Sequence, residues 1–376
     1  MEIDPALGED NMDFSFSEEQ QMLREQVRSF MSTEFPPKRI AELAESDEGW
    51  DADSWSRMAE LGWTGLSLPE QQGGSAMDFL YEAVLFEELG YGLYPGPFTS
   101  TMALALPALQ GAPDVLESVA SGRARVTLAF AERDGARSIE DTKRMTTTAE
   151  AGDAWVLTGT KEPVCDLSLA THVVVSAIGA EGPGLWLVEP SGDTVAELRT
   201  VDSTRRMGRL ELDAHPSTLL VAPGQGTAVL GHIRRRADAA LALEAIGIAQ
   251  RVLELARDYV SERKQFDRPI GSYQAVSHQL ADSYVEIELA RSLAYWAAWS
   301  VAESTEDADR AAAAAHAMAA EAAVRACERS IQVHGGVGFT WEHVLHRYYK
   351  RALGISVFNG TAAARRAAIA SSLLDG

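Results

Sequence analysis

A chain of 376 residues, 46% of them apolar, is long enough to bury more than one core and has the composition of ordinary globular protein. Its formal net charge of -22 excludes the basic surface that nucleic acid needs for counterion release, and disfavours anionic membrane surfaces. Two cysteines, Cys165 and Cys327, form neither a disulfide framework nor a zinc spacing, so no metal is expected. No apolar run approaches the roughly 18 residues of a membrane span. The opening MEIDPALGED lacks the basic and apolar regions of a signal peptide, so the expectation is a cytoplasmic protein.

Residues 1–124 read as a helical domain. Ser17 precedes Glu-Glu-Gln-Gln as an N-cap, and Met22, Leu23, Val27 and Phe30 follow at helix spacing. FLYEAVLFEELG (Phe79 to Gly90) is a second helix for which Gly90 is the expected stop. Residues 125–228 change texture. VTLAF, AWVLTGT, THVVVSA, GLWLVEP and STLLVAP are short, β-branched or aromatic, and broken by Gly, Asp or Pro, which predicts a small antiparallel barrel or sandwich. Residues 229–376 return to long Ala/Leu-rich helices. The tract from Ala311 to Ala326 is apolar on most sides and suits a helix buried between others. The fold class is therefore α+β: a helical domain, a β-domain, then a four-helix-type bundle.

Three local sequences narrow this order. LGWTGLSLPEQQGGSAMDFLYEAVLFEELG (Leu61 to Gly90), SERKQFDRPIGSYQAVSHQLAD (Ser261 to Asp282) and IQVHGGVGFTWEH (Ile331 to His343) resemble, in order and spacing, signatures of the acyl-CoA dehydrogenases. The resemblance covers nearly the whole chain. It implies FAD, an acyl-CoA substrate, an electron-transfer acceptor and an oligomer.

The chemistry of those segments fits such a cofactor. A pyrophosphate calls for a guanidinium that can fork onto two oxygens, and Arg263 stands where the family places one. Gln265, Phe266 and Gln274 match neighbouring cofactor-lining positions. Gly335 and Gly336 allow close backbone approach, and Gln332 offers a side-chain amide. In the family these groups reach the ADP half of a flavin held mainly by the adjacent subunit.

The family's reaction removes a weakly acidic proton beside a thioester, so it needs a carboxylate base in a dry site. One usual position lies twenty residues beyond the GF of the glycine motif, which here is Asn359 in FNGT. Asparagine takes no proton at useful pH. The other lies ten residues before the glycine of AIGIAQ, and here is Ala237. Two acids lie near these empty positions. Asp238 follows Ala237. Glu244, seven residues further on, faces the same side of the helix about 10 Å along its axis. With Leu241, Ala245 and Ile248 around it, Glu244 reads as a buried carboxylate paired with an arginine, with a displaced base or an exposed side chain as the alternatives.

In the β-domain, AFAERDGARS (Ala129 to Ser138) and GTKEPVCDLS (Gly159 to Ser168) stand where the family places segments against flavin and acyl-CoA. Glu132 is retained in the first; Glu162 to Val164 replace the tryptophan and threonine of the second. Arg234 to Arg236, a dense basic cluster, read as a solvated helix end, with CoA phosphates or a partner's acids as alternatives. His334 and His343 read as packed or surface histidines, with contact to flavin or partner as the alternative. Taken together, these departures resemble the base-lacking subunit of the α2β2 acyl-CoA dehydrogenases of actinobacterial steroid and bulky-acyl catabolism. The alternatives are a self-sufficient homotetramer using Glu244 or Asp238 as base, a non-catalytic scaffold, and a flavin monooxygenase of the same fold.

Overall fold

A computed structural model describes residues 16–374; the MEIDPALGED segment lies outside them. Five helices come first: α1 (Glu18–Glu34), α2 (Pro37–Glu45), α3 (Ala52–Glu60), α4 (Phe79–Tyr91) and α5 (Pro113–Ala120). Ser17 starts α1 with a reciprocal cap, accepting from the Gln20 amide at 3.1 Å while its own N–H donates to the Gln20 side chain at 3.0 Å. The face carrying Val27 and Met31 turns inward.

Helix α4 runs through Gly90 to Tyr91, with Gly92 at the C-cap, so Gly90 is not its stop. The glycine serves packing instead. A Cβ on Gly90 would overlap the Glu244 carbonyl oxygen, and one on Gly247 would overlap the Glu87 carbonyl oxygen. The two glycines thus bring α4 into backbone contact with α6 (Gly226–Glu262).

Between them lies a seven-stranded sheet of β1 (Val126–Ala129), β2 (Thr148–Ala151), β3 (Trp155–Cys165), β4 (His172–Gly179), β5 (Gly182–Val188), β6 (Val195–Leu198) and β7 (Met207–Val221). β3 pairs antiparallel with β2 and β7, β7 with β5, and β5 with β4. A single β2–β4 pairing, Thr148 to Ile178, closes the ring into a small barrel. β1 adds parallel to β4, and β6 pairs with β7. Leu157, Val164, Val173, Val175, Trp186, Leu210 and Leu212 fill the interior.

After α6 come a two-residue hairpin, β8 (Lys264–Gln265) and β9 (Arg268–Pro269), then α7 (Gln274–Ala302), α8 (Ala308–His334), α9 (Leu345–Val357) and α10 (Ala362–Leu374). The Ala311–Ala326 tract of α8 is almost wholly buried among α6, α7, α9 and α10, because methyl side chains let helix axes approach closely.

Candidate active site

The barrel and the bundle enclose a cavity of about 880 Å³. One wall comes from the β1–β2 connection and β3, through Phe130 to Arg133, Arg137, Glu162 and Pro163. The opposite wall is the second half of α9 and the turn after it, Lys350 to Thr361; Asp202, Arg205 and Met207 close the inner end.

Each carboxylate lining this space is already ion-paired. Glu132 accepts Lys161 Nζ at 2.7 Å, the Thr146 amide and hydroxyl at 2.6 Å each, the Thr147 amide at 3.1 Å and the Thr147 hydroxyl at 2.8 Å. Burial alone would raise its carboxyl, yet Lys161 and these donors outweigh burial and hold it at about 2. Lys161 is wholly buried, and desolvation brings its ammonium down to about 8 against the pull of Glu132. Glu162 pairs with Arg133 at 2.7 Å, and Asp202 with Arg351 Nε at 2.7 Å.

Glu244 sits behind the inner wall, not in it. Arg205 Nη2 lies 2.7 Å from both its oxygens, Arg351 Nη1 donates at 2.7 Å, and the Thr99 hydroxyl at 3.2 Å. Burial pushes its carboxyl up, but the two guanidinium groups outweigh that and hold it at about 2. Arg351 also donates to the Thr204 carbonyl and hydroxyl at 2.7 Å each, so it is saturated. The structure thus places Glu244 as a buried carboxylate braced by two arginines. Asp238, also outside the cavity lining, accepts Arg365 Nη2 at 2.7 Å, Asn359 Nδ2 at 3.0 Å and Arg234 Nη1 at 3.3 Å.

The basic cluster corrects the expectation of a solvated helix end. Arg234 and Arg236 are buried, Arg234 against Asp238, Glu140 and Asp309, and Arg236 against Glu82 and the Met102 carbonyl. Their partners come from the chain itself, 4 to 154 residues away, and such distant acids cannot be read from a local charge run.

The motif residues of the bundle gather elsewhere. Tyr259 of α6 stacks on His334 of α8 with ring centroids 4.3 Å apart, so the C-terminal ends of both helices lie together. Arg263 caps α6, Gln265 and Phe266 form the hairpin, and Gln274 opens α7 at the same end. Gln332 occupies the last turn of α8, followed by Gly335 at φ +60° and Gly336. None of these seven residues lines the cavity. Arg263, Gln265, Gln274, Gln332 and both glycines are exposed, and Phe266 is 89% exposed. The Arg263 guanidinium has no hydrogen bond or ion pair among the described residues, and apart from the adjoining chain nothing described lies within 4 Å of where a Cβ on Gly335 or Gly336 would stand. An open backbone stretch and a guanidinium without a partner among the described residues, at the same end of the bundle, fit an anionic dinucleotide.

Lys161, Arg205, Arg351 and Arg365 are site residues that sequence reasoning missed. Two carried a signal. Lys161 stands at an inward position of β3, in alternation with Leu157, and Arg351 lies on the α9 face with Tyr348, Ala352 and Ile355.

Residues 17–112 match the family description "Acyl-CoA dehydrogenase, N-terminal domain" and residues 224–374 "Acyl-CoA dehydrogenase, C-terminal domain". Probable acyl-CoA dehydrogenase YngJ of Bacillus subtilis is 30% identical over 96% of this chain and its own whole length.

The chain belongs to the acyl-CoA dehydrogenase family, and is an oxidoreductase of that family.

Two solved structures are similar along the whole chain. The Tcur3481-Tcur3483 steroid ACAD (a G363A variant) matches with a TM-score of 0.85 at 31% identity, covering 96% of this chain and 98% of that one. The ChsE4-ChsE5 complex from Mycobacterium tuberculosis matches with a TM-score of 0.87 at 29% identity, covering 97% and 100%. The helix–sheet–helix order and the closed sheet agree with acyl-CoA dehydrogenase architecture. Among the described residues no helix is long and apolar enough to cross a membrane, and no cluster of His, Cys, Asp or Glu is placed to hold a metal.

Proposed function

We propose that this protein is the flavin-completing subunit of a heteromeric acyl-CoA dehydrogenase, with the catalytic base on its partner. The observation that carries the reading is the absence of a free carboxylate: among the described residues, each acid lining the cavity is neutralised by a lysine or arginine. A general base needs an open lone pair and a pKa near working pH. Glu244 has neither, and Asp238 is fully buried under two arginines and an amide. Ala237 and Asn359 leave the two usual base positions without an acid.

The bundle end carries groups suited to a cofactor instead of a base. Arg263 would fork onto the FAD pyrophosphate, Gly335 and Gly336 would let the backbone approach it, and Gln332 would donate its amide. Bound FAD would accept hydride from the carbon one further from the thioester than the deprotonated one. Since none of these residues reaches the chain's own cavity, the flavin they hold belongs with a neighbour. The likeness to a steroid dehydrogenase and to a two-protein complex supports a bulky acyl-CoA substrate, a heterotetramer of α2β2 type and an external electron acceptor.

The test is turnover per bound flavin in the complex with a partner that carries the family glutamate. Glu244→Gln in this chain should leave it within about twofold, whereas Glu→Gln in the partner should abolish it. Loss of turnover on Glu244→Gln with flavin still bound would overturn the assignment.

A further inference from the structure

Asn359 stands at a position where the family places a base, and it is heavily engaged. Its backbone lies at φ +57°, which asparagine tolerates, and it is 2% exposed. Oδ1 accepts the Ile139 N–H at 2.9 Å, Nδ2 donates to Asp238 Oδ1 at 3.0 Å, and its carbonyl takes Arg365. Asp238 is wholly buried and also meets Arg234 of its own helix, Arg365 of α10 at 2.7 Å, and His316 of α8 at 3.6 Å. Arg234 reaches back to Glu140 at 3.0 Å. Consecutive residues of the β1–β2 connection, Ile139 and Glu140, are thereby tied to the bundle.

That connection carries Arg133 and Arg137 along one wall of the cavity, and Asn359 to Thr361 line the other. We propose that Asp238, Asn359 and Arg365 form a clamp that sets the separation of the two walls, with Asn359 as a positioning residue. Only an amide satisfies the site. It must accept from a backbone N–H and donate to a carboxylate at once, and an ionised acid cannot donate. A glutamate installed here would face Asp238 as a second buried carboxylate and open the clamp. The proposal holds whichever chain carries the base.

The test is hydrogen exchange of the segment 133–144 in the full-length chain, with N359D, D238N and the exchanged pair N359D/D238N. Each single variant should raise exchange of that segment about tenfold, the loss of roughly one charged hydrogen bond, while α7 stays as in the wild type. The exchanged pair should recover most of the protection, since one amide and one carboxylate again face each other beneath Arg234 and Arg365. Relative to the wild type, N359D should lose more protection at pH 8 than at pH 5. Two facing carboxylates share a proton at the lower pH, with Arg234, Arg365 and His316 as the other groups around them. Wild-type exchange in either single variant, or a double variant as fast as the two singles combined, would overturn the clamp. If N359D does not fold, D238N and the exchanged pair decide the matter.

Discussion

Glu244 shows how one residue type at one helix position carries opposite meanings. An acid on the face of α6 above Ala237 is a base if it is poorly solvated and lightly bonded, and a brace if guanidinium groups saturate it. Here two arginines settle on it, and both also line the cavity. Glu244→Ala should therefore cost about 3–5 kcal/mol in denaturant unfolding, because two buried cations lose their counter-charge. The pH dependence has a definite sign. Glu244 and Glu132 are both depressed from 4.5 to about 2 in the folded chain. Their contribution to stability is complete above pH 4.5 and is lost as pH falls from there towards 2. Thermal midpoints measured across that window should fall steeply, and Glu244→Gln should flatten part of the slope. Midpoints that stay level between pH 4.5 and 3 would contradict the pairing.

The elements were more legible than the site, for a physical reason. Helices and strands are written in local periodicity: the Ser17 cap, the Ala311–Ala326 tract and the β-branched runs each declare themselves within a dozen residues. Ion networks are written across the chain. Arg351 lies 107 residues from Glu244, and Arg365 lies 127 from Asp238, separations at which no spacing rule operates. Gly90 lies between these cases. Its helix was legible, but its role depends on Gly247 in another helix, so it read as a stop when it is a crossing. Gly247→Ala should lower stability by about 3 kcal/mol or more, because an added methyl meets backbone and not a movable side chain. Measured unfolding within 1 kcal/mol of the wild type would mean that α4 and α6 can part without strain. Arg263 and the glycine pair were legible only through the family resemblance; a lone arginine at a helix end has many uses.

Charge and apolar surface are divided along the molecule. Residues 1–124 hold 23 Asp and Glu against six Lys and Arg, whereas residues 229–376 hold 17 of each. The neutral bundle also carries most of the large exposed apolar side chains, among them Phe266, Tyr284, Leu289, Phe339 and Trp341. A neutral apolar face permits close association where a strongly acidic one resists it. Assembly through the bundle should thus be little affected by salt, while Phe339→Asp should lower the mass of the complex seen in sedimentation. Arg263→Ala should release flavin without changing that mass, since the guanidinium binds nothing among the described residues.

The most direct test of the shared-site account is the absorbance spectrum and native mass of the chain purified alone and after co-expression with an acyl-CoA dehydrogenase-type partner that carries the base. The account predicts a chain that is colourless by itself and a complex of two copies of each subunit with one flavin per pair. A yellow homotetramer of this chain alone that dehydrogenates an acyl-CoA would contradict it.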